Sequence, residues 1–232
     1  MTYGRLFPKL KNTSSKRVDL DEAAKRTLAK LGLPVTSNPL LDPRRSQEMI
    51  DALHEELGVD WSWGSYLENR SHLLRGSYLD KNGNYLHLGI DCNFPAGTEI
   101  CAPCECIIEN LYDDRDTPCG WGPRVLLKLL EGPKEGEHVI LSHFAPLTLE
   151  VGKKISRGEL IGPIGSPPLN GAWWPHLHIQ CLSPKMFSLH AKNSFTDLDG
   201  YGDPRRKEAL REEFPDPFWI IEQDVIATEK KS

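Results

Sequence analysis

Tyr85-Leu-His-Leu-Gly-Ile-Asp-Cys-Asn-Phe-Pro-Ala-Gly97 is the stretch on which the fold turns. Its first part, Tyr85–Cys92, reads as a strand, and Pro95-Ala96-Gly97 closes it with a turn. Outward from it, from about Ser77 to Cys181, short β-branched or alternating segments are separated by Gly and Pro, with a second turn signal at Lys81-Asn82-Gly83-Asn84. The expected strands are Tyr85–Cys92, Glu99–Ile100, Cys106–Asp113, Arg124–Leu130, His138–His143, the neighbourhood of Ile155, Leu160–Ile164 and His176–Leu182. This is an all-β region.

The flanks read differently. Residues 1–18 are polar and basic and are expected to form a poorly ordered tail. A helix follows, capped by Asp19 or Asp21, with Leu20, Ala24, Leu28 and Leu31 on one face and Gly32 with Pro34 as its stop. A second starts at Asp42-Pro43, carries Met49, Ile50, Leu53 and Leu57, and stops at Gly58. Another runs from Asp203-Pro204 to Phe214. The chain thus divides into a helical N-terminal extension (1–76), a mainly β domain (77–184) and a C-terminal extension with one helix (185–232).

Composition narrows the function. The 232 residues carry 28 Lys plus Arg against 33 Asp plus Glu, a net charge of −5, and are 39% hydrophobic, which excludes collagen, coiled coil and wholesale disorder. No clustered basic surface is present for nucleic acid or an anionic membrane, and neither is an expected partner. No apolar run approaches the roughly 20 residues that span a bilayer. The first residues hold no apolar core of a secretory signal, so the expected compartment is the cytoplasm. Cys92, Cys101, Cys104, Cys106, Cys119 and Cys181 read as buried thiols, because Cys101-Ala-Pro-Cys104 lacks the second pair of a structural zinc site.

The chemistry lies in three short histidine motifs. In His87-Leu-Gly-Ile-Asp91 an imidazole and a carboxylate project from one face of a strand, with Gly89 between them leaving room for an ion. In His176-Leu-His178 two imidazoles share a face, and Ser142-His143-Phe144 ends a strand before a Pro-containing turn. Imidazoles plus one carboxylate are the make-up of a catalytic zinc site that keeps a position for water.

Each motif alone is a modest signal, but their order and surroundings are specific. His87-Leu-Gly-Ile-Asp91 is followed by Pro95-Ala-Gly-Thr-Glu-Ile-Cys-Ala-Pro103, Gly120-Trp-Gly122, Leu141-Ser-His143-Phe, Val151-Gly-Lys-Lys-Ile-Ser-Arg-Gly-Glu-Leu-Ile-Gly162 and Pro175-His-Leu-His-Ile-Gln180. From His87 to Gln180 this series resembles the lysostaphin-type (LytM-type) zinc metallopeptidases. The resemblance implies a small antiparallel β fold, a barrel-sandwich hybrid of the kind shared with biotinyl and lipoyl carriers, opened into a groove. It also implies one zinc ion held by His87, Asp91 and His178, with His143 and His176 as catalytic histidines that do not bind the metal. The segment from Gly165 to His178 further resembles an intracellular branch fused to aminotransferase and phosphotransferase domains.

A zinc ion acidifies water to a pKa of about 7 and polarises a carbonyl, while a histidine of pKa about 6.5 can accept and return a proton. The expected function is therefore zinc-dependent hydrolysis of a peptide or small amide in the cytoplasm. Cleavage of cell-wall peptide, zinc binding without catalysis, and lyase or isomerase chemistry at the same site are the alternatives. Trp121, Trp173, Trp174 and Arg124 are candidate substrate contacts. Trp61, Trp63 and Tyr66 are expected to drape over the groove, whereas His54, His72, His138 and His190 are read as structural or exposed. The sequence leaves the oligomeric state open.

Overall fold

The computed structural model describes residues 3–10, 12–32, 38–115, 117–134 and 136–229. Before the β region lie β1 (Ser15–Val18), α1 (Leu20–Leu31), α2 (Pro43–Leu57), β2 (Trp61–Gly64) and α3 (Tyr78–Asn82). The β region holds β3 (Leu86–His87), β4 (Ile90–Asn93), β5 (Glu99–Cys101), β6 (Cys106–Asp113), β7 (Pro123–Leu129), β8 (His138–Ser142), β9 (Lys154–Ile155), β10 (Leu160–Pro163) and β11 (His176–Leu182). After it come α4 (Pro184–His190), β12 (Tyr201–Gly202), α5 (Lys207–Glu213) and α6 (Glu222–Glu229).

The fold is mainly β. Its main sheet has eight strands in the order β1-β2-β4-β11-β8-β7-β6-β9. All neighbours in it are antiparallel except the edge pair β1 and β2, which are parallel. Fully buried Val125, Leu127, Val139, Leu141, Leu177 and Ile179 alternate along the central strands and build the core on one face. On the other face Leu126, Ile140 and Leu182 pack against Met186, Phe195 and Leu210 from the C-terminal elements.

The caps fall where the residue chemistry puts them. Asp19 accepts from the Glu22 amide at the start of α1, Asp42 from Arg44 at the start of α2, and Gly32 and Gly58 end these helices in the left-handed region at φ 61° and 65°. Pro34, the other expected stop, lies outside the described residues.

Four expectations need correction. The start of the chain is not a loose tail: Leu6 and Phe7 are fully buried, their amides donate to Asp224, and Phe7 meets Trp61 and Phe94 edge-on. Residues 1–76 are more than a helical extension, since β1 and β2 lengthen the main sheet. Trp61 and Trp63 therefore sit in the core beside Phe94 and Phe218 rather than over a groove, and the Tyr66 hydroxyl donates to the Phe214 carbonyl. The region after 184 holds three α-helices rather than one, and Pro204–Arg206, where the helix was expected to begin, is a 3-10 turn leading into α5.

Candidate metal centre and catalytic cleft

Sheet register assembles the site. His178 on β11 lies directly across from Asp91 on β4 and, on its other side, from Ser142 on β8, which puts His143 at the next position. The expected strand Tyr85–Cys92 is broken: β3 pairs with β12 and β4 with β2 and β11. His87 and Asp91 nevertheless meet, with His87 Nε2 3.3 Å from Asp91 Oδ1.

Gly89 works differently from the sequence expectation. A side chain there would come within 2.3 Å of the Ile179 carbonyl and 2.8 Å of His178 Cε1, so the glycine admits the backbone of β11 and the His178 ring rather than an ion.

Three donor atoms converge. His87 Nε2 and His178 Nδ1 are 2.9 Å apart, and His178 Nδ1 is 2.9 Å from Asp91 Oδ1. The ligand atoms of the trio all lie within 4.8 Å of one another, and all three residues are buried. Burial pushes His87 down to about 3, with Arg70 adding to it, so the ring is neutral with a lone pair to offer. Burial disfavours charge on Asp91, but His87 and Arg70 outweigh it and hold the carboxyl well below its ordinary value. His178 Nε2 sits 3.0 Å from Gln180 Oε1, an acceptor that fixes the ring proton on Nε2 and leaves Nδ1 free for a metal. Two imidazoles and an ionised carboxylate on one point suit a zinc ion, and these three side chains can hold one.

Around the trio is a ring of contacts that no sequence spacing announced. The fully buried Arg70 donates from Nη1 to Asp91 Oδ2 and to the Tyr201 hydroxyl, and from Nε to Glu68 Oε2. Glu68 in turn accepts from the Leu20 amide at the start of α1.

The two other histidines face the same point. His143 Nδ1 donates to the Asn170 carbonyl at 2.9 Å and His176 Nδ1 to the Trp174 carbonyl at 2.7 Å, so each presents an unprotonated Nε2. Their rings are 4.3 Å apart, and His176 Nε2 is 3.7 Å from Asp91 Oδ1. Burial holds His143 well below its ordinary range and pushes His176 down to about 4, so both are neutral at pH 7. His143 also takes a left-handed backbone with φ 69°, an unusual conformation for a side-chain-bearing residue.

The candidate substrate contacts separate into two pairs. Trp121 and Trp173 line the cleft above the histidines, anchored by hydrogen bonds from Trp121 Nε1 to the Leu198 carbonyl and from Trp173 Nε1 to the Gly120 carbonyl. Trp174 and Arg124 do not line it. Trp174 is buried, donates to Asn93 and stacks under His176 at 4.7 Å, which makes it a support for that ring. Arg124 is buried behind Tyr112 and Trp121 and donates to the Phe195 carbonyl.

The remaining histidines lie outside the cleft, and of the cysteines Cys119 alone lines it. His54 contacts Ser62, His72 pairs with Asp21, His138 stacks on Phe187 and His190 pairs with Asp197. All six cysteines are free thiols, and only Cys119 is not buried.

No protein-family model and no curated protein matches the chain. Solved structures do. One is a protein from Pseudomonas aeruginosa assigned to peptidase family M23, at 20% identity over 58% of this chain and 43% of that one, with a TM-score of 0.37. Another is a zinc-containing peptidase from Vibrio cholerae, at 18% identity over 42% of this chain and 27% of that one, TM-score 0.34. A third is the catalytic domain of the antimicrobial peptidase lysostaphin from Staphylococcus simulans, at 22% identity over 42% of this chain and 68% of that one, TM-score 0.33. The chain spans less than half the length of the first two. Among the described residues no helix is long and apolar enough to cross a membrane.

Proposed function

We propose that the protein is a zinc-dependent hydrolase that cleaves a peptide or amide bond of a soluble, cytoplasmic substrate. The observation that carries this reading is the convergence of His87 Nε2, His178 Nδ1 and Asp91 Oδ1 in one cleft with the unprotonated Nε2 atoms of His143 and His176. The ordered motif series from His87 to Gln180 points the same way. Zinc in such a trio supplies an acidified water and a Lewis acid for the scissile carbonyl.

The chain's own residues supply the proton chemistry. Both His143 and His176 are held neutral by burial, so each can take a proton from water at neutral pH. Once protonated, either is an imidazolium in a dry site, a strong acid poised to return its proton to the departing amine. The backbone carbonyls of Asn170 and Trp174 fix both rings with Nε2 forward. Trp121 and Trp173 wall the cleft beside the reacting groups and offer ring faces to a substrate.

The test is mass-spectrometric screening of the zinc-loaded protein against a cytosolic metabolite extract and a muropeptide digest, with His143→Ala as blank. Gain of one water by a small amide or peptide, in the wild type alone, supports the reading. Hydrolysis confined to muropeptides moves the substrate to the cell wall. No change in either pool with zinc bound overturns the hydrolase.

A further inference from the structure

The walls of the cleft carry charge of one sign. Asp114 and Asp199 line it beside Tyr78, Tyr112 and Trp121, and no Lys or Arg does so among the described residues. Arg124 acts on Asp114 electrostatically, yet it lies behind the Tyr112 and Trp121 rings and contributes nothing to the lining.

Neither carboxylate meets a Lys or Arg in the lining of the cleft, though backbone amides of Trp121 and Gly122 favour the ionised Asp114. Asp114 Oδ1 is buried without a hydrogen-bond partner among the described residues. Asp199 accepts from the backbone amides of Tyr201 and Gly200, which orient the group without supplying a full counter-charge. Burial is the largest influence on both carboxyls and pushes them up, so a cation seated beside them would favour their ionised forms. Asp199 and Asp114 both act on the Tyr78 hydroxyl, so the two fields reach one part of the cleft.

The segment carrying Thr196, Leu198 and Asp199 also closes the cleft on this side. A Cβ built on Gly200 would stand 3.6 Å from both His178 Cε1 and the Trp121 ring, so the wall abuts the metal trio and leaves little length for a chain beyond it.

We infer that the cleft selects short cationic amides, with a terminal ammonium group seated near Asp199 and Asp114 against the aromatic faces of Tyr112, Tyr78 and Trp121. This rests on the hydrolase reading of the same site. An ammonium supplies the missing counter-charge and gains from the ring faces. A carboxylate in the same place meets like charge in a poorly solvated space and is rejected.

Two measurements keep this inference separate from the hydrolase reading. Equimolar pools of dipeptide amides with free amino termini, and the same pools N-acetylated, are incubated with the zinc-loaded protein and followed by mass spectrometry. Binding of both pools to zinc-loaded His143→Ala is followed by tryptophan fluorescence. The free-amine pool is expected to bind and react at least about tenfold better, and Asp199→Asn, which keeps an acceptor for the Tyr201 amide, to erase most of that preference. Cation-selective binding without turnover supports the ammonium site and overturns the hydrolase. Turnover or binding with no preference for the free amine, or no binding of the free-amine pool, overturns the ammonium site, as does a preference that survives in Asp199→Asn with Asp114→Asn.

Discussion

Arg70 holds Asp91 from behind. Its Nη1 takes Oδ2 of the carboxylate and leaves Oδ1 turned toward His87 and His178, which divides the two oxygens between a fixed guanidinium and the metal position. Lysine can replace the charge but not the fork that also grips Glu68. Arg70→Lys is expected to weaken zinc binding by about 10 to 100-fold, measured by competition with a chelator. Arg70→Met leaves two buried carboxylates unpaired and is expected to cost about 3 to 5 kcal/mol of stability in urea unfolding.

Gly89 offers a sharper probe of the metal centre. Its substitution by alanine drives a methyl group into the Ile179 carbonyl and the His178 ring. Gly89→Ala is expected to lose stoichiometric zinc, by elemental analysis, while far-UV circular dichroism retains the β signal of the remaining strands. Full zinc occupancy in this variant would show that β11 can shift without moving His178.

The beginning of the chain is as firmly placed as the sheet. Phe7 is fully buried between Trp61 and Phe94, and Phe7→Ala is expected to destabilise by about 3 to 5 kcal/mol. Asp224→Ala strips the Leu6 and Phe7 amides of their acceptor, with an expected loss of about 1 to 3 kcal/mol. Both values are read from urea unfolding.

A histidine remote from the cleft makes stability depend on pH. Burial, with help from Lys128, pushes His138 down to about 4. Below its ordinary value of about 6.5 the unfolded chain takes up this proton before the folded one, so stability is full above that pH and falls as pH drops toward 4. The slope from this group is at most about 1.4 kcal/mol per pH unit and is reduced by solvent screening, because the ring is only half-buried. Urea unfolding of wild type and His138→Asn at pH 7, 6 and 5 should show the advantage of the wild type shrinking along that slope. A constant difference would mean that His138 is not held neutral.

The legible parts of the molecule were those written in local pattern. Cys106–Asp113 and His176–Leu182 match their strands residue for residue, because a run of alternating or β-branched side chains bounded by turn residues needs no distant partner to be recognised. The caps at Asp19 and Asp42 are equally local. Ser15–Val18 is nearly all polar and forms a strand only because Trp61–Gly64 lies beside it, so no periodicity marks it. Tyr3, Leu6 and Phe7 stand among basic residues, and what holds them lies far along the chain, Trp219 beside Tyr3 and Asp224 on the Leu6 and Phe7 amides. At the site, the trio and both further histidines stand in short motifs, whereas Arg70, Asp114, Asp199 and Tyr201 belong to no motif and are brought in by tertiary folding.

The pairing of Tyr201 with His87 has a consequence for how the protein comes into being. A ribosome that has reached Leu182 has already made the three candidate metal ligands and the two histidines beside them. The strand that pairs with β3, the hydroxyl that steadies Arg70 and the Asp199 side of the acidic wall are still to come. A polypeptide at that stage would therefore hold the five candidate site residues without the enclosure that the Leu198–Tyr201 segment provides once β12 docks on β3.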